Sequence, residues 1–241
     1  MAGTSVAVAV VPAGTSAAEA LLSRWITLED QAHARKYSRP EARSGSLLAH
    51  AALRALLARQ TARRRWVFQF DSTGKLRVKA TDSAATADVS IAHTKGMTAC
   101  AVSHIGPIGI DLEAHRPRAH EAIARYGFGP EEQAAIARQG APAFYRIWTL
   151  REAMGKATGQ GLALATDGRD HVEAGPEQGC WIMHQQAGTW RLAHYVLEPG
   201  YSLALAAPGI AGEWRPEAIE RVDLLADTDD IARDPAARSG S

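Results

Sequence analysis

The 241-residue chain lacks several features that mark common classes of protein. It has only two cysteines, Cys100 and Cys180, which form no CxxC pair, so neither a disulfide framework nor a zinc knuckle is indicated. Its net charge of +1 lacks the basic excess of a broad nucleic-acid-binding surface. The N-terminal apolar run 6–11 is too short to span a bilayer, and no basic residue precedes it. We therefore expect a cytoplasmic protein with neither a nucleic acid nor a membrane as partner.

Familiar catalytic signatures are missing as well. The chain contains no GxSxG elbow, no GxxxxGK[ST] loop and no HExxH pair among its nine histidines. Lysine is scarce, because the 27 basic residues are 22 arginines and only 5 lysines. The position of each lysine is therefore informative.

The chain nevertheless has the composition of a globular protein, with 46% hydrophobic and 22% charged residues. Its patterns predict two similar halves, residues 1–105 and 106–226, followed by a disordered tail at 227–241. Each half is predicted to hold a long helix packed on a small antiparallel sheet, an α+β fold. The long helices are expected to begin at Pro40 and to span 142–158, with Gly159 as the stop. Short strands are expected at 6–11, 66–70, 76–79, 88–92, 98–103, 108–112, 181–184, 190–196 and 201–206. Two shorter helices are expected at 119–126 and 131–139.

Asp111 and Glu113 form an acidic pair on the predicted strand GIDLE. Side chains at i and i+2 of a strand point to the same face, so both carboxylates project together. Hard oxygen ligands of this kind suit Mg²⁺ in the presence of a substrate phosphate. The alternative is a strand that emerges into solvent with its acids hydrated, and the pentapeptide alone leaves the two interpretations about evenly balanced.

Glu152 and Lys156 lie at i and i+4 in the predicted helix WTLREAMGK and share one face. An ordinary surface ion pair of about 0.3–0.5 kcal/mol explains such spacing. In the functional alternative, Glu152 is a third metal ligand and Lys156 a cation for a phosphate.

Two further residues have phosphate-binding chemistry. His93 closes a predicted strand, where a charged imidazole can donate from both ring nitrogens. Lys75 follows Gly74 in a turn, where its ammonium can reach an anion. For both residues the alternative is an ordinary structural or solvated side chain.

The order and spacing of these segments resemble those of the Sfp-type 4′-phosphopantetheinyl transferases. The resemblance extends from about residue 28 to residue 162, and it rests on GIDLE and WTLREAMGKATGQGL. It implies two α/β halves related by a pseudo-twofold axis, with coenzyme A in the seam between them. It also implies a monomer that is a pseudo-dimer.

The resemblance implies roles for the acidic and basic residues of the second half. Asp111, Glu113 and Glu152 match the family's Mg²⁺ ligands. Lys156 matches a lysine that contacts the pyrophosphate of coenzyme A. Mg²⁺ is therefore the implied cofactor, and Mn²⁺ remains open.

Other matched positions concern coenzyme A and the proton acceptor. By resemblance, His93 and Lys75 contact the coenzyme's phosphates, and Ser46 stands where the family has a small hydroxyl near the adenine. Glu132 lies near the position of the proposed general base, with Glu131 one residue away as the alternative.

The chain departs from the family pattern at several positions. Ala92 replaces a serine that helps to bind phosphate, Leu76 replaces a proline, and Arg151 stands where lysine is usual. Asp30 and His33 occupy positions that are basic in some members. Neighbouring basic residues would take over part of that contact: Arg35, Lys36 and Arg39. These changes bear on affinity for the 3′-phosphate more than on the chemistry.

The implied activity is transfer of 4′-phosphopantetheine from coenzyme A to a serine of an acyl or peptidyl carrier protein. The by-product would be adenosine 3′,5′-bisphosphate. Two other functions stay open: a catalytically silent binder of coenzyme A or carrier protein, and a Mg²⁺-dependent nucleotide or pyrophosphate hydrolase. The run Arg63-Arg64-Arg65 is interpreted as a solvated patch, with docking of an acidic carrier as the alternative. The type of carrier, for fatty acid, polyketide or nonribosomal peptide synthesis, is not indicated.

Overall fold

A computed structural model of the chain describes residues 6–61, 65–104, 106–161, 172–174, 180–185, 188–197, 200–208 and 220–221. The predicted tail, Arg63, Arg64 and Leu162 lie outside the described residues. The described part is a mixture of helices and mainly antiparallel sheets, so the predicted α+β class is confirmed.

The first half is built on one sheet and one long helix. Its strands are β1 (Val6–Pro12), β2 (Trp66–Phe70), β3 (Leu76–Ala80), β4 (Thr86–Thr94) and β5 (Met97–Ser103). Its helices are α1 (Ser16–Trp25), α2 (Leu28–Ala34) and α3 (Pro40–Thr61). The leucines of α3 recur at helical spacing and pack on one face of the sheet, together with apolar side chains of β1, β4 and β5.

The second half repeats this combination of a long helix and a sheet. It contains β6 (Gly109–Ala114), α4 (His120–Gly127), α5 (Pro130–Gln139), α6 (Ala141–Thr158), β7 (Val172–Ala174), β8 (Cys180–Gln185), β9 (Gly188–Leu197) and β10 (Tyr201–Pro208). The sheet order is β6-β10-β9-β8-β7, antiparallel throughout. Apolar residues of α6 pack against β8, β9 and β10.

The sheet of the first half takes one strand from the end of the chain. Its order is β11-β1-β5-β4-β3-β2, where β11 is Glu220–Arg221. The β11 strand runs parallel to β1, although every other pair in this sheet is antiparallel. The expectation of a purely antiparallel sheet was therefore wrong for this edge.

The two sheets meet along β4 and β6 through side chains instead of a backbone ladder. The amides of Ile108 and Ile110 donate to Asp88 Oδ1 and Ser90 Oγ, each at 3.0 Å. The amide of Ala114 donates to Thr94 Oγ1 at 3.2 Å. Partner positions along the two segments differ by 20 residues. Beside this seam lies a core cluster with members from both halves, including Val8 of β1 and Leu205 of β10.

Sequence patterns missed two helices before α3. Thr15 caps α1 by accepting a hydrogen bond from the amide of Ala18. Thr27 and Asp30 form a capping box at the start of α2. These caps explain why short segments become helical after β1. Among the described residues, no helix is long and apolar enough to cross a membrane.

Candidate active site

Gly109 lets β6 and α6 approach closely enough to bring their acidic residues together. A Cβ at this position would overlap the carbonyl oxygen of Ala153 and crowd the amide of Ala157, both on α6. Only glycine avoids this overlap, because it has no side chain. The glycine of the GID sequence therefore has a steric role that precedes any chemistry.

Asp111 on β6 and Lys156 on α6 form an ion pair across this contact. The distance from Lys156 Nζ to Asp111 Oδ1 is 2.8 Å. Asp111 is 7% exposed, so the interpretation in which it emerges into solvent is wrong. Lys156 therefore pairs with the neighbouring strand, and the simple surface pair with Glu152 does not describe its contacts.

Asp111 and Glu113 on β6 and Glu152 on α6 form what we call the acidic group. Two carboxylate oxygens in this group are buried without a hydrogen-bond partner in the described structure. They are Asp111 Oδ2 and Glu152 Oε1. Such atoms are uncommon in folded proteins, and a bound ion, a ligand or an ordered water is what commonly supplies the missing contact. The single ammonium of Lys156 leaves the group acidic.

The electrostatics of the group agree with this geometry. Burial, reinforced by the charge of Asp111, raises the pKa of Glu152 to about 7. Burial and Asp111 also raise the pKa of Glu113, although the arginines Arg116 and Arg118 act in the opposite direction. A cation among these carboxylates would relieve both effects.

Glu113 lies at the outer end of the same strand. Arg118 Nη2 is 3.8 Å from Glu113 Oε2, and the indole of Trp148 on α6 lies on the same side and acts to lower the pKa of Glu113. Trp148, Glu152 and Lys156 therefore follow one another along one side of α6, each directed toward an acidic residue or group. Trp148 belongs to a segment that the sequence marked, but its position beside Glu113 was not predicted.

The acidic residues fit a hard divalent cation in their chemistry. Asp111, Glu113 and Glu152 supply carboxylate oxygens, which Mg²⁺ prefers, and two of those oxygens have no partner. Across the described ranges, no three such side chains are already placed to hold an ion. The ammonium of Lys156 contacts Asp111 in this arrangement.

A cavity of about 170 Å³ lies beside this group at the seam between the halves. It is lined from the first half by the turn before β3 and by β4, and from the second half by the end of α6. Lys75 and Lys156 both line it, as do Gly155, Gly159 and Gly161. Two of the five lysines therefore meet at one cavity.

Lys75 is more deeply bound than a turn lysine is expected to be. Its Nζ lies 2.9 Å from Asp88 Oδ1 and donates to the carbonyl oxygen of Ala157 at 2.8 Å. Burial lowers the pKa of Lys75, while Asp88 opposes that effect. The solvated alternative for Lys75 is wrong, and this residue ties the first half to the end of α6. Asp88, which sequence reasoning did not assign, holds both Lys75 and the amide of Ile108.

His93 and Ser46 lie together on the α3 side of β4. A Cβ at Gly45 would lie 3.0 Å from His93 Nδ1, so the imidazole packs directly on the helix beside the buried Ser46. Burial lowers the pKa of His93, and the charge of Lys156 acts in the same direction. The predicted coenzyme-binding residues of the two halves are therefore electrostatically coupled.

The departures from the family pattern lie in well-packed surroundings. Ala92 is buried in the seam cluster, and Leu76 is buried in the core of the first half. Asp30 is buried in a network in which it accepts hydrogen bonds from Arg54 and pairs with His50 at 2.8 Å. Although burial acts in the opposite direction, these partners lower the pKa of Asp30. His33 stacks on Phe70, with ring centroids 4.5 Å apart.

Glu132 and Glu131 differ sharply in their surroundings. Glu131 is exposed, whereas Glu132 is 4% exposed and forms a bidentate pair with Arg151. Arg151 Nε donates to Glu132 Oε1 at 3.0 Å, and Arg151 Nη2 donates to Oε2 at 2.9 Å. The amide of Gly129 also donates to Oε2. The role of Glu132 as a general base stays a prediction.

Comparisons with known proteins agree with the motifs. Residues 107–206 match the model of the 4'-phosphopantetheinyl transferase superfamily. The chain is similar to the 4'-phosphopantetheinyl transferase HetI of Nostoc, with 31% identity over 133 residues, 53% of this chain and 54% of HetI. It is also similar to the 4'-phosphopantetheinyl transferase Sfp of Bacillus subtilis, with 25% identity over 189 residues, 76% of this chain and 82% of Sfp.

A second transferase of Bacillus subtilis is 35% identical over 82 residues, 32% of this chain and 36% of that protein. The chain thus spans about half the length of HetI and about a third of this second transferase. The matched segment contains GIDLE and all of α6, which are the elements that carry the acidic group. The resemblance inferred from these motifs is confirmed, since residues 107–206 match the 4'-phosphopantetheinyl transferase superfamily.

Proposed function

We propose that this protein transfers 4′-phosphopantetheine from coenzyme A to a serine hydroxyl of an acyl or peptidyl carrier protein. The observation that supports this most directly is the acidic group of β6 and α6, with two unpartnered carboxylate oxygens, beside a seam cavity lined by Lys75 and Lys156. A diphosphate needs positive charge beside it, and the carboxylates would hold a metal cation that adds to the charge of the lysines.

The chemistry balances as a phosphoryl transfer. The serine oxygen attacks the phosphorus atom that bears the pantetheine, and the bond from that phosphorus to the bridging oxygen breaks. Adenosine 3′,5′-bisphosphate leaves with the bond's electron pair. The serine proton passes to a base, for which the sequence predicts Glu132, with Glu131 as the alternative.

The proposed roles of the site residues follow from their positions. Asp111, Glu113 and Glu152 would hold Mg²⁺, which when bound neutralises charge on the diphosphate and orients its oxygens. Lys156 is part-exposed at the cavity and would offset charge on the leaving group. His93 and Ser46 would contact the 3′-phosphoadenosine part, and Lys75 would add positive charge at the opposite wall.

The proposal extends to the organisation of the molecule. We infer that residues 1–105 and 106–226 are halves related by a pseudo-twofold axis, since each places one long helix on one sheet. Coenzyme A would bind in the seam, and the chain would act as a cytoplasmic monomer.

The test is to incubate the purified protein with coenzyme A, Mg²⁺ and apo-carrier proteins of the fatty acid, polyketide and nonribosomal peptide types. Mass spectrometry should show a gain of one phosphopantetheine on at least one carrier. Asp111→Asn should abolish this gain, whereas Glu19→Gln, an exposed change on α1, should preserve it. No gain on any carrier would refute the proposal. Coenzyme A binding without turnover would favour a silent binder, and steady release of phosphopantetheine without a carrier would favour a hydrolase.

A further inference from the structure

The buried pair between Glu132 on α5 and Arg151 on α6 is the most completely hydrogen-bonded ionic contact near the acidic group. The Glu132 carboxylate accepts from Arg151 Nε, Arg151 Nη2 and the Gly129 amide, at 3.0, 2.9 and 3.0 Å. Arg151 is 0% exposed, and its guanidinium lies 5.6 Å from the ring centroid of Phe128. Both oxygens of Glu132 are therefore engaged inside the protein.

A general base needs a free lone pair that can reach the substrate proton. Glu132 offers little access, because it is 4% exposed and each oxygen already accepts a charge-assisted hydrogen bond. Glu132 is also the third residue of α5, where its contact with the Gly129 amide completes the start of that helix. Its contacts are those of a structural carboxylate.

The pair has a direct geometric link to the acidic group through α6. Arg151 precedes Glu152 in the chain, and Trp148 and Lys156 lie one turn before and one turn after Glu152. Trp148 faces Glu113, Glu152 lies among the acidic side chains, and Lys156 contacts Asp111. The rotation of α6 about its axis therefore decides whether Trp148, Glu152 and Lys156 are all in place. A bidentate guanidinium–carboxylate contact fixes orientation as well as distance.

The beginning of α6 is held by weaker contacts than a buried ion pair, such as the exposed hydrogen bond that Arg146 Nη2 donates to Gln139 Oε1 of α5 at 3.1 Å. The helix starts after Gly140 without a side-chain cap. Near this end, Tyr145 instead holds the segment after β6, since its hydroxyl donates to the Arg116 carbonyl and accepts from the Arg116 amide. The Glu132–Arg151 pair is thus placed to set α6 where Glu152 projects.

We propose that Glu132 is a positioning residue which acts through Arg151 to orient α6, and that it is not the proton acceptor. The inference rests on the proposed transferase function, because it concerns how the acidic group is held for that reaction. It predicts that the loss of either partner lowers activity, and that replacement of both partners by apolar side chains of similar size restores it.

The decisive experiment compares single and double replacements. Glu132→Leu and Arg151→Met each leave one buried charge without its partner, so we expect kcat to fall at least about tenfold, with a lower thermal unfolding midpoint. The double variant E132L/R151M removes both charges and fills the space with apolar atoms. It should recover kcat to within about threefold of the wild type, because matched apolar replacements of buried ion pairs are well tolerated. Arg138→Met, an exposed change on α5, is the matched control.

A catalytic base cannot be rescued in this way. If E132L/R151M folds with a normal unfolding midpoint but stays as inactive as Glu132→Leu, the positioning role is refuted. If the double variant does not fold, Glu132→Gln and Arg151→Lys decide instead. Positioning predicts that Glu132→Gln keeps the acidic limb of the pH–rate profile at reduced amplitude and that Arg151→Lys retains part of the rate. Loss of that limb would overturn the proposal.

A binding measurement separates this inference from the proposed function. Mn²⁺ binding followed by electron paramagnetic resonance should weaken at least about tenfold in each single variant and recover in the double variant. This pattern is expected even if the wild type modifies no carrier protein, in which case the transferase proposal alone fails. Equal Mn²⁺ affinity in the wild type and both single variants would refute the positioning role.

Discussion

Glu152 is the residue whose surroundings most clearly disfavour its own charge. Its buried Oε1 has no partner, and burial together with Asp111 raises its pKa to about 7. A carboxyl group whose pKa is higher in the folded than in the unfolded protein binds more protons when folded. The metal-free protein should therefore lose stability as the pH rises from about 4.5, the unfolded value, to about 7.

Glu152→Gln should remove this cost. With metal chelated, we expect the variant to unfold at a higher temperature than the wild type at pH 8, and the difference to shrink toward pH 5. Thermal unfolding followed by circular dichroism measures both. Addition of Mg²⁺ should raise the midpoint of the wild type more than that of the variant. A variant that is less stable than the wild type at pH 8 without metal would contradict the assignment of repulsion to this group.

At the scale of elements, the turn before β3 and the end of α6 are joined by Lys75. Its ammonium bridges Asp88 and the carbonyl oxygen of Ala157 in a buried position. Lys75→Met should therefore leave Asp88 with only the Ile108 amide and Arg77 Nη1 as partners, and lower the free energy of unfolding by about 2 kcal/mol. Lys79→Met, on the exposed face of β3, should change the free energy of unfolding by less than about 0.5 kcal/mol.

Urea unfolding measures these stabilities, and the Michaelis constant for coenzyme A separates the two roles of Lys75. If its main role were phosphate binding, Lys75→Met would raise that constant while leaving stability close to the wild-type value. A large loss of stability is the outcome expected from its contacts. Both effects together would mean that the bridge also shapes the cavity.

The elements differ in how far their positions could be predicted from sequence. Helix α6 was predicted at 142–158 and observed as Ala141–Thr158, because a long apolar repeat ends at a glycine in the left-handed conformation, Gly159. Helices α1 and α2 were missed, since short helices depend on caps such as Thr15 and Thr27 more than on a long repeat. The parallel pairing of β11 with β1 joins residues more than 200 positions apart, and nothing local to either strand indicates it.

The acidic residues of β6 could be predicted from local backbone geometry, whereas their contacts could not. Asp111 and Glu113 alternate on one strand, so their shared direction follows from backbone geometry. The partner of Lys156 depends on how β6 lies against α6, which Gly109 permits and local spacing does not reveal. The burial of Glu132 likewise depends on the packing of α5 against α6.

At the scale of the whole molecule, the second sheet contains a group that should make the fold acid-sensitive. His194 Nε2 and His115 Nε2 lie 3.1 and 2.9 Å from the hydroxyl oxygen of Ser202. Burial, with the charges of Arg146 and His115, lowers the pKa of His194 to about 4. A histidine with a lowered pKa binds its proton more readily when unfolded, so stability is lost as the pH falls from about 6.5 to about 4.

We expect His194 to account for about 1–2 kcal/mol of the stability lost between pH 7.5 and pH 5. His194→Gln keeps a polar side chain but does not titrate, so its unfolding free energy should fall less over this interval. Urea unfolding at the two pH values gives the comparison. An equal loss of stability in the variant and the wild type would show that other groups cause the acid sensitivity.

The seam also determines whether the halves can exist apart. Strand β6 and the residue before it rely on side chains of β4 for the amides of Ile108, Ile110 and Ala114, and these would be exposed or unpaired without the first half. The core cluster beside the seam draws on both halves, and β11 completes the first sheet from the far end of the chain.

Fragments 1–105 and 106–241 should therefore each lack a cooperative unfolding transition, whereas the full chain should unfold in one. Circular dichroism during urea titration tests this, and a mixture of the two fragments is the informative companion, because contacts across the seam should restore the transition. A sharp transition in either fragment alone would show that its half folds independently and that the seam joins two finished domains.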